Sequence, residues 1–393
     1  MEIKKEKYSA RDNKKETKNC SSFRIKILLF FVLSRIIINL INKNIYNQTK
    51  NNNNRINREK KHYLKTKNFA ILQRLQCPQC GFFSHYIVNL GCMNKYISLG
   101  YIPIIDLKSF PNVYNGNDIT KDNPWELFFN QPYNFTLKEV KKYGNNVQNF
   151  ECTPREKRPD EKNIYYQNDS IILWHDFAKK YTPIKDEIMI ELNDIMKDLF
   201  GDSKNILGVK LRGTDYIAAH PKGHSIPPDV SQVILDVKSM DKKYNYDFIF
   251  FSTEDELIKK KFVPNFKKKI KLLNPNIKIN YNYTEKNFIN LNKNINGNID
   301  YIKNYILNTI ILSKCLDIVT PRCSGAAGIF ILTNGFRHAK IYSLKNSLYF
   351  PIFIMINHEI LLFLKYREII ERFILFINLK KFLNYLVLKC QIV

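Results

Sequence analysis

From residue 81 the apolar and polar positions fall into two alternating rhythms. In "GFFSHYIVNLGCMNKYISLGYIPIIDL", a glycine-flanked turn leads into apolar residues at three- and four-residue spacing, which predicts a helix over 84–98. Gly100 stands where a helix C-terminal glycine belongs, and "YIPIIDL" is an unbroken apolar run that predicts a buried strand. A second amphipathic helix is predicted in "PIKDEIMIELNDIMKDLFG", closed by Gly201. The rhythm then repeats. Strands are predicted at "NILGVKL", "DFIFFST", "IKINYN", "DIVTP" and "AKIYSL". Helices are predicted at "DVSQVILDVKSM", "EDELIKKKF", "IDYIKNYILNTIILSKC" and "GAAGIFILTNG".

Apolar strands alternating with amphipathic helices imply parallel sheets covered on both faces. The expectation is an α/β protein with two Rossmann-like domains facing a cleft. Residues 1–66 read as a basic, Asn-rich leader, with "QTKNNNNRINREKK" as a low-complexity linker. Residues 67–203 form the first α/β domain and 204–346 the second. Residues 347–393 are expected to be a basic amphipathic helical tail.

Composition changes this picture in three places. Lys and Arg number 62 against 36 Asp and Glu, giving a formal charge of +26, so an anionic partner is expected. No RNP, zinc-finger or helix-turn-helix pattern accompanies that charge, and no nucleic-acid partner is expected. Only Cys77 and Cys80 of the eight cysteines form a CxxC; His85 offers a third metal ligand and a fourth is missing. The expectation is reduced cysteines in a cytoplasmic protein, with Cys315 and Cys323 as packing residues. The apolar segment near the N-terminus is interrupted by Lys26 and Arg35, too short to span a bilayer. The tail carries Lys365, Arg367, Arg372, Lys380, Lys381 and Lys389 along an apolar helical pattern, which suits peripheral contact with an anionic membrane on its inner face.

Ligands in open parallel sheets bind at the carboxyl ends of strands. Three such ends carry chemistry here. In "GVKLRGTD", Gly208, Lys210 and Arg212 share one face, Arg212 reaches the tip, Gly213 permits a turn and a close ligand approach, and Asp215 follows. An arginine fork there suits a diphosphate, with Lys222 and His224 adding charge from the loop beyond; a structural Arg212–Asp215 pair is the alternative. In "FFSTEDE", Thr253, Glu254 and Asp255 can accept from ribose hydroxyls or a purine edge, or can cap the next helix. In "VTPRCSGAAG", backbone N–H groups at the helix start, with Ser324, Gly325 and Arg322, suit a phosphate. Neither a Walker A sequence nor GxGxxG is present, which disfavours P-loop NTPases and dinucleotide oxidoreductases. With no Asp-x-Asp triplet, no metal is expected.

In this order the residues resemble the fucosyltransferase-like superfamily of two-domain GT-B glycosyltransferases, which includes α-1,6-fucosyltransferases, protein O-fucosyltransferases and the nodulation fucosyltransferase. The likeness is strongest to bacterial surface-polysaccharide transferases. It rests on Gly81 to Leu107, "FPNVY", "NPWELFFNQP", the strand motif at Lys210-Leu211-Arg212 with Thr214-Asp215, the "KGH" loop at 222–224, Thr253-Glu254-Asp255, and Arg322 to Gly325. It spans about 78–346. Lys210 stands where the superfamily's motif has histidine.

The resemblance implies transfer of fucose or a related sugar from a GDP-sugar to a surface glycan or lipid-linked glycan. Transfer would invert the anomeric carbon with no metal or other cofactor. Donor contacts would fall to Arg212, Lys210 and the loops at 253–255 and 322–325. A general base is also needed; Asp106 and Glu126 are the candidates the sequence offers. A catalytically inactive nucleotide- or carbohydrate-binding protein on the same scaffold is the alternative.

Overall fold

The computed structural model of the chain describes residues 57–154, 164–165, 168–218, 225–273, 297–343 and 352–355, with Arg35, Lys43 and Arg55. The chain divides into two units, 1–66 and 67–393. In the first, residues 57–66 are helical. The second holds both sheets and every candidate site residue.

The smaller sheet has three parallel strands, β1 (Asn68–Gln73), β2 (Tyr101–Ile105) and β3 (Asn146–Glu151), in the order β2-β1-β3. β1 is central and buried from Phe69 to Leu72, so it reads as a continuous apolar run. Helix α1 (Phe82–Ser98) crosses from β1 to β2, and Leu99 and Gly100 end it, Gly100 at φ +82°. Among the described residues α2 (Leu137–Tyr143), α3 (Asn168–Tyr181) and α4 (Asp186–Phe200) follow. Thr136 and Glu139 cap α2 reciprocally, and Gly201 ends α4 at φ +59°.

The larger sheet contains β4 (Ile206–Lys210), β5 (Phe248–Ser252), β6 (Ile270–Lys271), β7 (Asp317–Pro321), β8 (His338–Tyr342) and β9 (Ile352–Met355). Their order is β6-β5-β4-β7-β8-β9, parallel except for β9. The connections carry α5 (Asp215–Ala218), α6 (Val230–Tyr244), α7 (Glu256–Phe262), α8 (Ile299–Lys314) and α9 (Ser324–Leu332). Crossover helices between parallel strands are what the alternating pattern called for.

Aromatic rings fill the core beside α1. Trp125 lies 5.0 Å from Phe129, 5.6 Å from Tyr86 and 6.0 Å from Phe82, ring centre to ring centre. The two sheets are joined where α1 meets α9. A Cβ on Gly328 would lie 2.2 Å from Phe83, so the phenylalanine ring occupies the place a side chain at 328 would need.

Two expectations are corrected. Part of the expected helical tail is a strand: residues 352–355 form β9, antiparallel to β8, which otherwise offers an unpaired edge. The rest of 344–393 lies outside the described residues, as does the strand expected at 277–282. The cysteines are not all reduced: Cys77 bonds Cys80, and Cys92 on α1 bonds Cys152 just after β3. The second pair is 60 residues apart and is brought together by the pairing of β1 with β3, which spacing could not reveal. Cys315 and Cys323 are free and buried, as expected. Among the described residues no helix is long and apolar enough to cross a membrane.

Candidate active site

Strand order decides where a site can form. β4 has β5 on one side and β7 on the other, so the connections leaving β4 and β7 diverge and open a crevice at their carboxyl ends. β1 is flanked in the same way by β2 and β3. Residues 74–81 and 211–214 leave the carboxyl ends of these two central strands.

The loop after β4 is built on one carboxylate. Asp255 is buried and caps α7: its Oδ1 accepts from the N–H groups of Leu257 at 2.9 Å and Ile258 at 3.1 Å. Its Oδ2 accepts from Thr214 N–H at 2.9 Å, across from the neighbouring strand end. Thr253 Oγ1 in turn accepts from Asp255 N–H at 3.2 Å. A Cβ on Gly213 would fall 1.9 Å from that same Oδ2. Glycine is therefore required at 213 by Asp255, and the left-handed residue of the turn is Thr214 at φ +49°. Of the two roles open to Asp255, the structure assigns capping.

Arg212 is held in place by what surrounds it. Its Nε lies 3.3 Å from Glu254 Oε1, and its guanidinium carbon is 4.5 Å from the centre of the Tyr216 ring. Both charged side chains are largely buried, at 16% and 9% exposure, so the pair is only weakly screened by water. An Arg plane fixed by a carboxylate on one edge and a ring on its face has its remaining N–H groups aimed rather than free to search.

The face expected for β4 is confirmed. A Cβ on Gly208 would meet Leu312 and Cys315, Lys210 Nζ lies 5.1 Å from the Tyr305 ring centre, and Arg212 shares a cleft with Tyr301 and Tyr305. Gly208, Lys210 and Arg212 thus run along α8 in register. The cleft is lined by Gly81, Phe82, Val113 and Tyr114 from the smaller-sheet half and by Arg212, Tyr301, Ile302 and Tyr305 from the larger. Burial raises the hydroxyl pKa of Tyr114 and Tyr305 well above the usual tyrosine value, so both stay protonated as hydrogen-bond donors. The lining offers one cation, tyrosine rings and hydroxyls. Among the described residues that line it there is no carboxylate.

No protein-family model matches this chain, and no curated protein matches it. The chain is similar to solved structures of two fucosyltransferases. The NodZ fucosyltransferase of Bradyrhizobium is 12% identical, with 74% of this chain and 99% of that one covered and a TM-score of 0.45. The NodZ α-1,6-fucosyltransferase soaked with GDP-fucose gives 13%, 74%, 99% and 0.45. POFUT1 in complex with GDP gives 10%, 70%, 99% and 0.44. At these TM-scores the likeness assigns no residue of the site.

The other predicted residues are placed as follows. Lys210 does not reach the cleft; it is 1% exposed behind Tyr305, and burial lowers its pKa. Gly325 packs against the same pair, since a Cβ there would lie 2.5 Å from Tyr305 Oη and 3.0 Å from Lys210 Cε. Ser324 is half-buried at the start of α9, where Cys323 Sγ accepts from Ala326 N–H at 3.4 Å. Arg322 turns to Ser343, donating to its Oγ at 3.1 Å, and does not line the cleft. Asp215 opens α5 next to Thr214. Lys222 and His224 lie outside the described residues.

Neither candidate base stands in the cleft. Asp106 is fully buried and accepts from the N–H groups of Lys108 and Ser109, from Gln73 Nε2 at 3.0 Å and from Lys141 Nζ at 3.1 Å, so it anchors the loop after β2. Glu126 accepts from Gln131 Nε2 at 3.0 Å and Leu137 N–H at 2.7 Å, and lines a different hollow with Asn130 and Lys185. Both carboxylates are where loops needed acceptors. Among the described residues no group of three His, Cys, Asp or Glu could hold a metal ion.

Sequence reasoning missed Tyr301, Tyr305 and Tyr114. The first two stand one helical turn apart in the opening turns of α8, a spacing legible in "IDYIKNYIL".

Proposed function

We propose that the chain is a fucosyltransferase-like glycosyltransferase that uses a GDP-sugar and needs no metal ion. The observation that carries this reading is Arg212. It stands at the carboxyl end of the central strand, fixed by Glu254 and Tyr216, in a cleft between two α/β halves. A guanidinium held there is suited to a leaving diphosphate, whose charge grows as the bond to the sugar's anomeric carbon breaks. The tyrosine hydroxyls and rings of the cleft suit a sugar and a base. The choice of guanine nucleotide and fucose is what the resemblance of the sequence motifs implies.

In this reading the acceptor hydroxyl attacks the anomeric carbon from the face opposite the diphosphate, which inverts it. The new bond forms to the acceptor oxygen, the electron pair of the broken bond stays on the phosphate oxygen, and the hydroxyl proton passes to solvent water. The acceptor is a surface glycan or a lipid-linked one. Peripheral contact with an anionic membrane belongs to the same proposal; its support is the basic, apolar pattern after Met355.

Calorimetric titration with GDP and UDP tests the donor site, and sugar transfer from GDP-fucose with and without EDTA tests the chemistry. GDP is expected to bind well below the concentration UDP requires, and transfer is expected to survive the chelator. Equal affinity for both nucleotides, or activity lost in EDTA and restored by manganese, overturns the reading. One observation favours a catalytically idle nucleotide-binding protein instead: both candidate bases are committed to loop hydrogen bonds. GDP binding without turnover on any glycan acceptor would select it.

A further inference from the structure

Cys77 and Cys80 are placed quite differently from the other disulfide. Cys92 and Cys152 are fully buried, whereas Cys77 and Cys80 are half-buried at the rim of the cleft. Their loop is tied to the cleft wall by two bonds, and that wall is tied in turn to Gly297. Tyr114 Oη donates to the Cys80 carbonyl, Val113 N–H donates to the Pro78 carbonyl at 3.3 Å, and Gly297 N–H donates to the Val113 carbonyl at 2.7 Å. Gly81, Val113 and Tyr114 are themselves part of that wall, facing Arg212 and Tyr301.

The chemistry around Cys80 is equally specific. Arg74 is buried, with Nη1 donating to Ser84 Oγ at 2.9 Å and Nη2 lying 3.6 Å from Cys80 Sγ. Cys80 also precedes Gly81, the residue that opens α1. A guanidinium and a helix start both favour a thiolate over a thiol. His85 sits buried behind the loop, and burial followed by the charge of Arg74 pushes its pKa down to about 3, so it stays neutral and Arg74 supplies the positive charge.

We propose that Cys77–Cys80 is a redox-active site whose co-substrate is a dithiol, and that its oxidation state sets the affinity of the cleft. This rests on the reading of the cleft as a nucleotide site. A thiolate of the dithiol attacks Cys77 Sγ. The Cys77–Cys80 bond breaks, and its electron pair leaves on Cys80 Sγ beside Arg74. The second thiol of the dithiol then displaces Cys77, so the dithiol departs as a disulfide and two electrons remain on the two cysteines. The opened loop no longer braces Pro78 and Cys80 against Val113 and Tyr114, and the wall opposite Arg212 loosens.

The test reduces the full chain in graded dithiothreitol, traps thiols by alkylation, reads each pair by mass spectrometry, and titrates GDP into each form. Cys77–Cys80 should open while Cys92–Cys152 stays closed, and GDP should then bind about tenfold more weakly, a change within the usual span of coupled sites. Reoxidation should restore binding. The Cys77→Ser/Cys80→Ser protein should bind like the reduced form whether or not dithiothreitol is present. Unchanged GDP affinity on reduction, or opening of Cys77–Cys80 only after Cys92–Cys152, overturns the proposal. If neither form binds GDP, the nucleotide reading fails on its own, and amide exchange decides this one. Faster exchange at 81–84 and 113–116 on reduction supports it, and unchanged exchange overturns it.

Discussion

Replacing Gly213 with alanine adds one carbon, and the structure says where that carbon must go. It would lie 1.9 Å from Asp255 Oδ2, 2.6 Å from its Cγ and 2.7 Å from its Cβ. No contact that close survives, so the carboxylate has to leave its place. Three hydrogen bonds leave with it, to Leu257, Ile258 and Thr214. A lost helix cap costs about 1 kcal/mol. A buried N–H deprived of a charged acceptor costs about 1–3 kcal/mol. Gly213→Ala should therefore destabilise the protein by about 2–4 kcal/mol, a large effect for a single methyl group. Denaturant unfolding measures it. The origin can be isolated by a second substitution. Asp255→Ala removes the atoms at 1.9 and 2.6 Å and leaves the one at 2.7 Å, so Gly213→Ala should cost less in that background. GDP affinity should fall with Gly213→Ala as well, since Arg212 is the adjacent residue. A cost below about 0.5 kcal/mol, the level of an ordinary surface change, or strict additivity of the two substitutions, would refute this account of the loop.

Two further outcomes are expected. Arg212→Ala should keep the fold but lower transfer by about two to three orders of magnitude, as the loss of a charge-assisted contact to a developing anion does; near-normal turnover in a steady-state assay removes its phosphate role. Stability should fall by up to about 1.4 kcal/mol per pH unit as pH drops from 6.5 toward about 3, because the unfolded chain protonates His85 while the buried ring does not. Thermal unfolding against pH should show that slope, and His85→Phe should flatten it.

Much of the second half was legible because its strands are short apolar runs between helices of clear period. β4, β5, β7 and β8 all fall where the pattern put them. β3 was not, because "NVQNFE" is mostly polar and is a strand only by pairing with β1. β6 is two residues long, beneath any periodic signal. Arg212 could be picked out by its glycine neighbour, yet the reason for that glycine was invisible: it depends on Asp255, 42 positions along and one strand away. Asp106 and Glu126 misled for the same cause. A carboxylate at a strand end or in a loop looks available in sequence, and only the positions of Lys141, Gln131 and Leu137 show that its oxygens are already taken.

The contact of Phe83 with Gly328 bears on how a nucleotide could come and go. A ring seated where a side chain would otherwise project acts as a peg between α1 and α9. Swinging the halves apart would draw that peg into water, at about 1.5–3 kcal/mol for a ring of this size, which holds an opened form to less than about a tenth of the molecules. Exchange of substrate and product would then proceed through the rim of the cleft while the halves stay latched, and release rates would respond to the rim residues more than to any change at the sheet cores. A larger residue at 328 would evict the peg and set the halves free to rock.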